Sequence, residues 1–145
     1  MAEEQNKAAM RRFYEEVFHQ GKLNVIDELV AADYVEHAAP PGVPPTIEGF
    51  KGFVASFRSA FPDGRFTIED EIAAGDRAVA RTIFRGTHKG EFMGIPATGK
   101  TVTVSGIDIV RFGPNGKAVE HWANQDDLGM MQQLGVIPPA GQPRS

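Results

Sequence analysis

The stretch Ala118–Gly135, A-V-E-H-W-A-N-Q-D-D-L-G-M-M-Q-Q-L-G, decides how the rest of the chain is read. It follows a Gly-Pro-Asn-Gly turn (113–116), opens with strand-type residues and ends in a short helical segment stopped by Gly135. A strand running directly into a helix is therefore predicted. Alternate residues of a strand share a face, so Trp122, Asn124 and Asp126 are expected to project together. That sets an amide and a carboxylate beside a large apolar ring, which suits a base in a dry pocket.

Working outward, Thr101 to Phe112 is the clearest strand, with Val102, Val104, Gly106, Asp108, Val110 and Phe112 on one face. Ile107 and Ile109 fall on the other. Two alternating segments precede it, Arg65 to Ala73 and Ala78 to His88, joined by a turn at 74–77. Lys89 to Lys100 reads as an irregular Gly/Pro loop. The first sixty residues carry helical spacing instead. Met10, Phe13, Tyr14, Val17 and Phe18 mark a helix from Ala8 to His19, and a shorter one runs from Asn24, its expected cap, to about Val30. D-Y-V-E-H (33–37) is extended and leads into A-A-P-P-G-V-P-P, a stiff loop suited to a rim or lid. Thr46 caps a third helix that ends before Pro62, with Ile47, Phe50, Phe53, Val54, Phe57 and Phe61 as its buried stripe. Helices first and strands afterwards predict an α+β fold: three N-terminal helices over the concave face of a curved, mostly antiparallel sheet, forming a cone with an internal pocket.

Composition narrows the function. The chain has 145 residues, enough for a single domain spanning 1–145, with a core from about 6 to 137 and a loose tail over 138–145. A net charge of −4 with interspersed signs argues against a nucleic-acid surface. There is no cysteine, so disulfides, thiolate metal sites and a cysteine nucleophile are excluded. The four histidines show no metal-ligand spacing, so no metal is expected. No apolar run approaches the roughly 20 residues a bilayer span needs, and the charged N-terminus lacks a signal-peptide core, so a cytoplasmic location is expected.

G-T-H-K-G-E-F-M-G-I-P-A-T-G-K (86–100), then I-D-I-V-R-F (107–112) and E-H-W-x-x-x-D-x-L-G-x-x-x-Q-L-G (120–135), resemble the SnoaL-like polyketide cyclases, or ester cyclases. D-Y-V-E-H before its Pro/Gly loop fits as well, and the likeness covers about Asn6 to Gly135. The resemblance implies a nuclear transport factor 2-like (cystatin-like) cone and a cofactor-free intramolecular aldol reaction on a polyketide. It also implies a catalytic aspartate four residues after the tryptophan, here Asp126. The parity of Asp126 with Trp122 and Asn124 agrees; its other reading is the N-cap of the following helix.

Such chemistry needs a base made stronger by desolvation and donors for the enolate oxygen. The expected helpers are His88, Asn124, Tyr14 and His37, with Trp122 as a wall. Asp108 is either paired with Arg81 or Arg85 or part of the site. His121, of opposite parity to Trp122, is expected on the outer face. Two alternatives stay open: a non-catalytic protein binding a small hydrophobic molecule, and an epoxide hydrolase of the limonene-epoxide type, built on an Asp-Arg-Asp cluster. The expected partner is a small hydrophobic or aromatic molecule, with neither nucleic acid nor membrane involved. The outer face of the long strand suggests a homodimer or higher homo-oligomer.

Overall fold

A computed structural model describes residues 2–138; the tail expected over 138–145 lies, from 139 onward, outside the described residues. Helix α1 (Ala2–Arg12) starts earlier than its apolar stripe suggests and widens into a π-helix over Phe13–His19. The Gln20 N–H reaches back five residues to the Glu15 carbonyl, 3.1 Å away, the mark of a π turn. Helix α2 (Asn24–Leu29) has Leu23 rather than Asn24 at its cap and no side-chain cap bond. Helix α3 (Ile47–Ala60) is capped as expected: Thr46 Oγ1 accepts from the Gly49 N–H at 3.1 Å.

Five strands follow the order β1-β5-β4-β3-β2 in one mixed, unclosed sheet: β1 Val30–Glu36, β2 Arg65–Ala74, β3 Arg77–Thr87, β4 Thr101–Phe112 and β5 Ala118–Gln125. Every pairing is antiparallel except β1 with β5. The edge strand β1 takes in residues read as a helix end and a bare extended segment. Its partner lies some 85 residues further along, as in Glu36 opposite His121. Helix α4 (Asp127–Leu134) follows β5 at once and closes on Gly135 at φ 83°, a left-handed C′ position where a side chain would be strained.

The helices cover one face of the sheet. Ala78, Ala80, Val110 and Phe112 of the strands meet Met10, Val17, Ile26 and Val54 of the helices. Toward the other end Phe57, Phe61, Phe84 and Phe92 interlock, with ring centroids 4.8 Å apart for Phe57–Phe84 and 5.4 Å for Phe61–Phe84. Each such aromatic pair contributes about 0.5–1.5 kcal/mol beyond its buried area. Phe57, Phe84 and Phe92 also form one wall of a hollow left between the layers.

Candidate active site

The hollow is a cavity of about 550 Å³ between the π segment, α3 and the inner face of the sheet. That size suits one drug-sized ligand. Phe13, Phe18, Phe50, Phe53 and Phe57 make it apolar, and Pro40–Pro44 with Met93 frame its mouth. Met93 and Gly94 both have positive φ (52° and 80°) in a tight turn closed by hydrogen bonds between Phe92 and Ile95. Gly106 leaves room for a lining side chain, since a Cβ there would sit 1.7 Å from Gln125 Oε1.

On the sheet side of the cavity a single chain of hydrogen bonds runs through five side chains. Tyr14 Oη donates to Asp108 Oδ2 at 2.6 Å, and His121 Nε2 lies 2.8 Å from Asp108 Oδ1. His121 Nδ1 lies 2.6 Å from Glu36 Oε2, and Tyr34 Oη donates to Glu36 Oε1 at 2.7 Å. An imidazole with a carboxylate at each nitrogen needs two N–H donors, so His121 is an imidazolium. Burial alone would lower its pKa, but the bonds from Asp108 and Glu36 override that and raise it to about 9. Burial likewise acts to raise the Glu36 carboxyl, yet His121, Tyr34 and the Ala38 N–H hold it below the ordinary range. The Tyr14 phenol is pushed up, first by burial and then by Asp108, and stays a donor.

The local register explains why these residues meet. Val110 pairs with His121 and Asp108 with Ala123, so His121 shares the inner face of β4. Between Arg111–Glu120 and Phe112–Ala118 the register slips by one residue at Val119. This bulge turns both Ala118 and His121 inward although they stand three apart.

The sequence profile of the SnoaL-like polyketide cyclases matches residues 8–134. The chain belongs to this family. A curated relative of this SnoaL-like chain is the aklanonic acid methyl ester cyclase DnrD of Streptomyces peucetius, 28% identical over 123 residues, covering 83% of this chain and 84% of that one. Among solved structures, TsrD from Streptomyces laurentii shares 31% identity and a TM-score of 0.82, covering 92% of this chain and 96% of its own. IdmH, a putative polyketide cyclase from Streptomyces antibioticus, shares 35% identity and a TM-score of 0.76, covering 90% and 99%. The nuclear transport factor 2-like α+β fold implied by the sequence motifs is thus shown.

The SnoaL-like site differs from its sequence reading in several places. Asp126 does not line the cavity: it is exposed and caps α4, its Oδ1 accepting from the Gly129 N–H at 3.0 Å. Its neighbour Asp127 lines the cavity instead, at its solvent-exposed edge, with its carboxyl raised by partial desolvation and by the charge of Asp126. Trp122 faces outward opposite Ile109, between the stacked His37 ring (5.1 Å) and the Arg77 guanidinium (5.0 Å). His37 thus leaves the site too, bonding Glu120 at 2.6 Å. His88 is fully buried against Phe61 but outside the cavity, its Nδ1 held by Thr98. Asn124 lies at the rim, and Tyr14 and Asp108 are inside.

The partner of Asp108 is neither arginine that was weighed. Arg81 pairs with Asp70, and among the described residues no arginine lines the cavity, so these residues form no Asp-Arg-Asp cluster there. His121, Glu36, Tyr34 and Asp127 were missed. The i, i+2 spacing of Tyr34 and Glu36 was the available signal, because it puts both on one face of a strand. As an N-cap, Asp126 is expected to matter for stability alone: Asp126→Ala should cost about 0.5–2 kcal/mol in denaturant unfolding. It should leave turnover within about twofold, and a large loss of rate at intact stability would return Asp126 to the site.

Proposed function

We propose that this chain closes a carbocycle by an intramolecular aldol reaction on a polycyclic keto ester, using its own side chains as acid and base. The observation that carries the reading is the Tyr14–Asp108–His121 chain set in the wall of an apolar cavity. Asp108 removes the proton from a carbon activated by a carbonyl, and the Tyr14 phenol turns to the enolate oxygen. The enolate carbon bonds to the acceptor carbonyl carbon. His121 Nε2–H protonates the resulting alkoxide, and the proton held by Asp108 passes to His121. One proton has moved from carbon to oxygen, one C–C bond has formed, and the site is reset.

The charge of the chamber supports an ester over an acid. Among the described residues that line it, Glu36, Asp108 and Asp127 are acidic, His121 is the single basic group, and there is no lysine or arginine. A ligand carboxylate would enter an already negative site, and like charges brought together in a buried site cost several kcal/mol. The methyl ester in the name of the Streptomyces peucetius relative points the same way. The test is turnover of an anthraquinone-type keto methyl ester beside its free acid. The ester should lead in kcat/KM by about 100-fold or more. Equal rates, or no ring closure at all, would overturn the reading.

The proposal includes a second copy of the chain on the outer sheet face. Ile72, Val79, Ile109 and Trp122 pair across four strands into one apolar row, beside an exposed Ile107. Sedimentation should show a species of twice the chain mass, split by Ile109→Lys. A monomer at micromolar concentration would remove this part.

A further inference from the structure

The mechanism above uses Asp108, Tyr14 and His121 and leaves Glu36 without a task. Yet Glu36 is a carboxylate with only 8% of its side chain exposed, inside an apolar chamber. A buried charge persists only where it is paired and hydrogen-bonded. Glu36 is fully engaged: Oε1 accepts from Tyr34, and Oε2 accepts from the Ala38 N–H at 3.0 Å and from His121 at 2.6 Å. Tyr34 and Ala38 both belong to the segment that runs from β1 into the proline loop, so the carboxylate is held by its own stretch of backbone.

We propose that Glu36 is a positioning residue for the Asp108–His121 pair: anchored by Tyr34 and the Ala38 N–H, it grips the imidazole at Nδ1 and keeps Nε2 aimed at Asp108. The proposal rests on the reading of that pair as the proton-transfer machinery. A ring gripped at one nitrogen has one orientation and both N–H groups committed. Without Glu36, His121 is free to lose a proton or to turn, and the return of the proton from Asp108 loses its path. The other groups facing this ring do not substitute for Glu36. Asp108 on β4 occupies Nε2, and Tyr14 of the π segment is spent on Asp108. Asp127 lines the cavity from the start of α4, and α3 contributes phenylalanines.

The test follows the His121 imidazole by NMR titration in wild type, Glu36→Gln and Tyr34→Phe, beside the pH profile of kcat. Glu36→Gln keeps shape and removes charge. It should drop the His121 pKa from about 9 by about 1–3 pH units and carry the alkaline limb of kcat down with it. Tyr34→Phe, which loses one hydroxyl, should shift both in the same direction by less, and it serves if the glutamine variant does not fold. An unmoved His121 titration overturns the proposal. So does a His121 shift that the kcat profile fails to follow, since Glu36 would then be structural only. If wild type closes no ring, the cyclase reading fails while the titration alone decides whether Glu36 grips His121.

Discussion

Asp108→Asn should reduce ring closure on the keto ester by about 10²–10⁴-fold, the span that general acid–base groups contribute. The amide keeps the shape of the carboxyl and its bond from Tyr14, but it takes no proton from carbon. The same change strips His121 of one of its two anionic partners, so the imidazolium should titrate lower than in the wild type. Tyr14→Phe, which removes one donor and no charge, should cost less, on the order of 10²-fold. Ligand affinity should change little in either variant, since most of the cavity wall is apolar. Asp108→Asn turnover within about tenfold of wild type would take Asp108 out of the reaction.

The second large effect is on stability against pH. His121 ordinarily titrates near 6.5 and in the fold near 9, so the folded state binds its proton more tightly than the unfolded chain. Its contribution is complete below about 6.5 and disappears as pH rises through 9. A gap of that size corresponds to roughly 3 kcal/mol, reduced to about 2–3 kcal/mol because 23% of the side chain is exposed. Glu36, held low, acts in the opposite sense: its contribution is present above its unfolded value near 4.3 and is lost as pH falls further. The two describe one buried pairing, so they set the edges of a plateau between about 4.3 and 6.5 and do not add. Thermal unfolding should therefore show Tm falling by roughly 5–10 °C from pH 6.5 to 9.5. His121→Gln should flatten that slope. An unchanged wild-type Tm over this range would mean His121 is not held charged.

Local signals carried much of the architecture. The phenylalanine stripe of α3 with its Thr46 cap, the alternation of β4 and the glycine stop after α4 each follow from a few adjacent residues, and all were legible. Three features were not. The π turn at 13–19 leaves the same apolar residues inward as an α-helix would, so spacing does not reveal it. The pairing of β1 depends on a partner far along the chain. The bulge at Val119 decided the site: simple parity puts Trp122 inside and His121 outside, and one extra residue reverses both. Asp108 was recognisable as an anomaly on an apolar face, but its partners lie 94 residues away at Tyr14 and 13 at His121, distances no local pattern spans.

Met93 bears on how selective the doorway is. A left-handed backbone costs a side-chain-bearing residue on the order of 1 kcal/mol, and glycine would relieve it. The chain nevertheless keeps a thioether there, 44% exposed and facing the entrance. A soft, unbranched side chain adapts to guests of different outline. On the ester-selective reading proposed above, the threshold would be the shape-tolerant part and the interior the part that discriminates by charge.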